Sequence, residues 1–139
     1  MKQILLITLG LSAFLWADFT RANNIVTDST TLLEWQDDEI GSTMNWESAI
    51  AQCEALSLDG RSWRLPNINE LKTIIDDSKF SPAIVGIFTN TGSSTYWSST
   101  TYDGGTNFAW SVDFLQGRSL NDNDKVNDNR YVRCVAGGS

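Results

Sequence analysis

Apolar and polar positions alternate with two different periods along this chain, and the change of period divides it in two. In the first half, Trp46, Ala49, Ile50, Cys53 and Leu56 recur at spacings of three and four, which predicts an amphipathic helix running to Leu58. Asn45 is placed to cap it, and Asp59-Gly60 to stop it. A second helix is predicted from Ile68, Leu71, Ile74 and Ile75, ending near Ser78 ahead of Pro82. Just before it, Trp63, Arg64 and Leu65 read as a short strand. Pro66 ends that strand, having no N–H and forcing Leu65 to extended backbone. Asn67 and Glu70 stand at capping-box spacing.

In the second half the period is two. Residues 96–100 predict one strand and residues 108–115 another, with Phe108, Trp110, Val112 and Phe114 on one buried face. Asp103-Gly104-Gly105 and Gln116-Gly117 are turns, and 118–120 begins the return strand. Residues 121–129, nearly all Asn, Asp and Lys, read as a loop. Residues 130–136 form the closing strand, with Tyr131, Arg133 and Val135 on one face and Val132 and Cys134 on the other. Upstream, residues 21–24 are a polar lead, and 25–27 and 31–36 form a hairpin about an Asp28-Ser29-Thr30 turn. Asp37-Asp38-Glu39 reads as a solvated acidic loop. The sum is one α+β domain: two helices packed on a small, twisted antiparallel sheet with long loops.

The N-terminus changes the compartment. Lys2 precedes an apolar run from Ile4 to Trp16, followed by Ala17 and then the polar Asp18. This is the pattern of a secretory signal peptide (residues 1–17) cut after Ala17, and the run falls short of the roughly 20 apolar residues of a membrane span. The exported domain, residues 18–139, is expected in the periplasm, at the cell surface or outside the cell, with no membrane insertion after cleavage. In an oxidising compartment Cys53 and Cys134 read as a disulfide joining the first helix to the last strand, worth about 4 kcal/mol in the chain-entropy model. Two free thiols or a metal pair are the alternatives. With no histidine in the chain, a four-ligand zinc site would need carboxylates.

The chain carries 17 acidic against 10 basic residues. This balance argues against nucleic acid and anionic membranes as partners. Arg118, Lys125, Arg130 and Arg133 are candidates for a local basic cluster. Without histidine there is no Ser-His-Asp or Cys-His centre, and the carboxylate pairs Asp37/Asp38 and Asp76/Asp77 are too unspecific to assign a glycosidase. Asn121, Asp122, Asn123, Asp124, Asn127 and Asp128 form an oxygen-rich stretch compatible with calcium but without EF-hand spacing, so no cofactor is assigned and calcium is the one candidate.

Eight segments in order carry a further signal: W-Q at Trp35, N-W-E-S-A-I from Asn45, C-E-A-L from Cys53, W-R-L-P-N-I-N-E-L from Trp63, Y-W-S-S-T from Tyr96, A-W-S-V-D-F from Ala109, G-R at Gly117, and V-R-C-V from Val132. This series resembles the Lcl C-terminal domain family over about residues 25–135. The resemblance implies an exported domain of C-type-lectin-like fold, related in shape to formylglycine-generating enzymes. It also implies a surface adhesin as relative, with a collagen-like stalk and binding to sulfated glycosaminoglycans. This chain holds no Gly-X-Y repeat, and its acidity does not suit a polyanion.

The expected function is a non-catalytic binding module for a glycan or protein ligand. Its surface is expected near Tyr102, the exposed aromatic platform, together with Asn121, Asp122, Asn123, Asp124, Asn127 and Asp128. Trp63, Arg64, Pro66, Asn67, Glu70, Trp97 and Trp110 are assigned to structure, with Arg64 buried and paired to a carboxylate and Trp110 in the core. A structural subunit of a surface complex and an enzyme of the formylglycine-generating type, which requires a reactive thiol, are the alternatives. Expressed in a bacterium with its export machinery, the chain should be recovered beginning at Asp18. N-terminal sequencing that finds Met1 retained would remove the signal-peptide reading.

Overall fold

The computed structural model describes residues 18–138. The expected signal peptide lies outside the described residues. Among those described, no helix is long and apolar enough to cross a membrane. The order is β1 (Phe19–Ala22), β2 (Ile25–Asp28), β3 (Leu33–Gln36), α1 (Trp46–Ala55), a 3₁₀ turn (Leu58–Gly60), α2 (Ile68–Lys72), β4 (Thr95–Thr101), β5 (Phe108–Asp113), β6 (Arg118–Asp124) and β7 (Val135–Gly137). The α+β class holds, but the strands form two antiparallel sheets, β1-β2-β3-β7 and β4-β5-β6.

Three predicted elements are shorter than expected. The second helix stops at Lys72: Thr73 keeps helical backbone as its cap, Ile74 and Ile75 close a tighter turn onto the Leu71 and Lys72 carbonyls, and the chain then leaves the helix to meet residues 84–85. Ile75 bridges Ile84, and the Val85 N–H donates to the Ile74 carbonyl. Its start is as expected: the Glu70 N–H donates to Asn67 Oδ1 at 2.8 Å, and the Asn67 N–H to Glu70 Oε1 at 2.9 Å. The predicted strand at 63–65 reduces to one bridge, Arg64 to Val135. The first helix also ends early, at Ala55, with Asp59 and Gly60 both at positive φ in the turn beyond.

Other segments are more ordered than expected. The polar lead at 21–24 belongs to a hairpin: β1 pairs with β2 through Asn23 and Asn24 at φ 52° and 66°, a left-handed pair that suits tight hairpins and that asparagine tolerates. The presumed loop at 121–129 is strand through Asp124, because its polar side chains find partners within the sheet. Buried Asn123 donates to Ser111 Oγ at 2.7 Å and accepts from Arg130 Nε.

The closing segment is a spine rather than one strand. Arg130 bridges Met44, Tyr131 bridges Tyr96, the Gln36 N–H donates to the Cys134 carbonyl, and only 135–137 enters a sheet. Its partners change because it runs from one sheet to the other. The predicted alternation nevertheless holds. Tyr131 and Val135 pack into a cluster with Val26, Trp35, Leu71, Tyr96 and Phe114; Val132 and Cys134 join a second with Cys53, Trp63, Leu65 and Trp97. The Cys53–Cys134 disulfide lies in this second cluster.

The face assigned to β5 needs correction. Val112 and Phe114 are buried, but Phe108 and Trp110 are half-buried, whereas Ala109 and Ser111 are fully covered. A register shift between Ala109 and Ser111 accompanies the change. Both faces of the strand are thus covered, and Trp110 sits at the margin, its ring edge-to-face with Tyr102 at 5.7 Å.

The largest correction concerns the acidic loop. Asp37 is completely buried. One carboxylate oxygen accepts from Arg133 Nη1 at 3.0 Å and the Asn90 N–H at 3.0 Å; the other accepts from Arg21 Nη1 and the Thr89 N–H. Arg133 is itself 3% exposed, donates to the Asn90 carbonyl and Thr91 hydroxyl, and lies 4.8 Å from the Phe88 ring centre. It therefore belongs to no surface basic cluster. Burial by itself raises the Asp37 carboxyl, but the Thr89 N–H and the two guanidiniums outweigh it and hold the group below its ordinary value. A carboxylate with a depressed folded-state pKa stabilises the fold fully above its unfolded value of about 3.9, and that stability is lost as pH falls through the folded value. Denaturant midpoints should therefore be level near neutrality and fall in acid. Asp37→Asn, which strands Arg133, should cost about 3–5 kcal/mol at pH 7 and flatten the acid decline; a variant as stable as the parent would refute this role.

Candidate functional site

Lys125 organises the surface where three segments meet. Its N–H donates to the Asn107 carbonyl at 3.0 Å, and its own carbonyl accepts the Trp46 N–H at 3.1 Å. Its Nζ donates to Thr101 Oγ1 at 2.8 Å and lies 4.1 Å from the centre of the Trp46 ring. The start of α1, the end of β4 and the β5 approach are thus joined through one residue. Trp46 takes the first helical position after the Asn45 cap, and its indole N–H donates to the Ser98 carbonyl, so one ring face stays available to Lys125. Cation–π stacking of this kind contributes about 0.5–1 kcal/mol at an exposed site.

Two depressions adjoin this residue. One, of about 250 Å³, is lined by Asn45, Trp46, Glu47, Lys125 and Val126. The other, of about 350 Å³, is lined by Thr106, Asn107, Asp124, Lys125, Val126 and Asn127. Val126 contributes to both and is 75% exposed, an apolar residue held out to solvent.

The turn that presents Val126 is rigid for local reasons. Asp124 Oδ1 accepts the Val126 and Asn127 N–H groups, and Oδ2 accepts the Asn127 carboxamide. Asp128 Oδ2 accepts the Asp124 N–H at 2.7 Å. The Asn127 carboxamide first, then the two backbone donors, hold the Asp124 carboxyl below its ordinary value. These oxygens are therefore turned onto the turn's own N–H groups. Among the described residues, no group of three or more His, Cys, Asp or Glu side chains is gathered to hold a metal ion.

The predicted site residues fall into three sets. Asp124, Asn127 and Asp128 build the turn, and the first two line the second depression. Asn123 is buried beneath it, Asn121 is half-buried on β6, and Asp122 is exposed there. Tyr102 is no free platform. It is half-buried, packed against Trp110, and its ring lies across Gly104, where an added Cβ would come 2.4 Å from the hydroxyl.

Sequence reasoning missed Trp46, Thr106, Asn107 and Val126 as surface-forming residues. The available signal was Trp46 itself, an indole at the very start of a helix and hence at the edge of its apolar stripe. The expected structural residues behave differently from one another. Trp63 is buried, with its indole N–H donated to the Leu58 carbonyl; Pro66 is buried and its carbonyl accepts the Ser99 N–H; Trp97 is buried and donates to the Met44 carbonyl. Arg64 pairs with a carboxylate as expected, that of Glu70, but its side chain is 42% exposed and lines a separate cleft.

The Lcl C-terminal domain model matches residues 24–136 of this chain. The chain belongs to the Lcl C-terminal domain family. No curated protein and no solved structure matches it. The matched span includes every element from β2 to the β7 edge, so the Lys125 surface, the buried Asp37–Arg133 pair and the disulfide all lie inside the Lcl C-terminal domain.

Proposed function

We propose that this Lcl C-terminal domain is an exported, non-catalytic binding module that recognises a glycan or protein ligand at the cell surface through the Lys125 surface. The observation that carries the reading is the arrangement around Lys125: an exposed Val126 and Asn127 stand on a turn closed by Asp124 and Asp128, with the Trp46 ring and Asn107 brought beside it from other segments. A rigid apolar point between polar groups suits recognition, because little ordering entropy is lost when a partner docks. The non-catalytic part of the reading is supported by the cysteines. Both sulfurs are joined in a fully buried bridge, which leaves no free thiol among the described residues for chemistry of the formylglycine-generating type.

The mature domain should bind members of a glycan array, or capture a defined protein from the surface of its own cells. Val126→Asp and Lys125→Ala should each weaken that binding about tenfold or more, a change of about 1.4 kcal/mol, with little movement of Tm for Val126→Asp and a drop of a few degrees for Lys125→Ala, which also loses its contacts to Thr101 and Trp46. Unchanged affinity in both variants would displace the site from this surface. Running the array with calcium and with chelator decides whether an ion takes part.

A further inference from the structure

The second cleft is formed by segments that take no part in the Lys125 surface. It has a volume of about 350 Å³ and lies between α2, the Thr31–Leu33 turn and the end of β7. Its floor is Gly137 and Gly138, at φ 72° and 108°. A Cβ on Gly138 would stand 3.1 Å from Leu33 Cδ2 and 3.8 Å from Arg64 Nη2, so any side chain there would fill the space between them. The lack of a side chain at Gly138 leaves the Arg64 guanidinium open on that side.

The polar groups of the cleft are fixed on one side and free on the other. Both Glu70 oxygens are engaged, Oε1 by the Asn67 N–H and Oε2 by Arg64 Nη2. Arg64 Nη2 also donates to the Gly137 carbonyl at 3.3 Å. The guanidinium is thereby held in place, while its Nε and Nη1 have no protein acceptor among the described residues. Asn69 is exposed on the next turn of chain with its carboxamide unengaged, and the Thr73 hydroxyl, donated to the Glu70 carbonyl, retains its lone pairs.

We propose that this cleft binds an uncharged, polyhydroxylated ring, of the kind a neutral glycoside presents, through Arg64, Asn69 and Thr73. Adjacent hydroxyls each offer one donor and two acceptors, which matches free guanidinium and carboxamide N–H groups set beside carboxamide and hydroxyl oxygens. Glu70 cancels the Arg64 charge at contact distance, and the chain as a whole is acidic, so an anionic ligand gains little here and is repelled at long range. The volume stands at the small end of the roughly 300–1,000 Å³ of ligand pockets, room for one ring rather than an extended chain.

The test uses the mature domain, titrated with methyl α-mannoside, methyl β-galactoside and methyl β-glucoside, and with methyl β-glucuronide as the anionic control. Resonances of Arg64 Nε–H, the Asn69 carboxamide and the Gly137 and Gly138 amides should shift saturably with at least one neutral glycoside, equally with chelator present. Asn69→Ala, on an exposed side chain with no partner, should weaken that binding about fivefold, the loss of one hydrogen bond, with an unchanged Tm. Lys125→Ala should leave it intact, which separates failure of this site from failure at the Lys125 surface. Absence of shifts at these four groups with every neutral glycoside, preference for the glucuronide, or full affinity in Asn69→Ala would each overturn the assignment.

Discussion

Everything in this domain is built round a carboxylate that solvent does not reach. Asp37 takes donors from Arg21 on β1, Arg133 on the spine and the Thr89 and Asn90 backbone, so three remote parts of the chain meet at one side chain. An isolated ion here would be prohibitively costly. With donors on both carboxylate oxygens the charge is tolerable, though Arg133 Nε stays buried without a partner, and the pair fixes geometry more than it adds net stability. The flat guanidinium also lies against Phe88 and Tyr96, so the polar centre is seated in the apolar cluster instead of interrupting it.

From that centre the spine distributes order to both halves. Alternate residues of 131–135 face two different apolar clusters, and Cys134 ties the second of these to α1 through the disulfide. With the first helix anchored in this way, its N-terminal Trp46 stays where Lys125 can cross it. At the other end of the spine, the Arg64–Val135 bridge holds the Arg64 backbone against β7 and leaves its side chain over Gly138. Both candidate surfaces are therefore margins of the same rigid frame. Their loops are closed by their own Asx hydrogen bonds, so ligand recognition would work on preset groups, with little rearrangement of backbone.

Several site features were hidden by one recurrent cause: a polar residue looks the same in a sequence whether water or protein satisfies it. Asp37 in an acidic triplet and Asn123 in an Asn-Asp run both read as solvated, yet one is the buried centre and the other a buried strand residue. Arg64 shows the converse. A carboxylate partner is legible in the sequence, but its identity and the exposure of Arg64 are not, because openness at that point depends on two glycines more than 70 positions later in the chain. Trp110 was placed in the core by strand period alone, and the register shift in β5 moved the buried face past it.

What the sequence determined unaided is local: the α1 cap, the Asn67–Glu70 box, the β2–β3 hairpin, the two faces of the closing segment and the family itself, since each follows from neighbours within a few residues or from motifs in fixed order. The disulfide was also within reach, because a lone pair of cysteines behind a signal-like N-terminus reads as a bridge. Only tertiary structure decided that the sheet divides in two, that α2 gives way after Lys72, that Asp37 is buried, and that Val126 and Arg64 face solvent. These outcomes turn on which distant donor meets which acceptor and which apolar face finds a cover. Such free energies belong to pairs of residues far apart in the chain, and no single segment carries them.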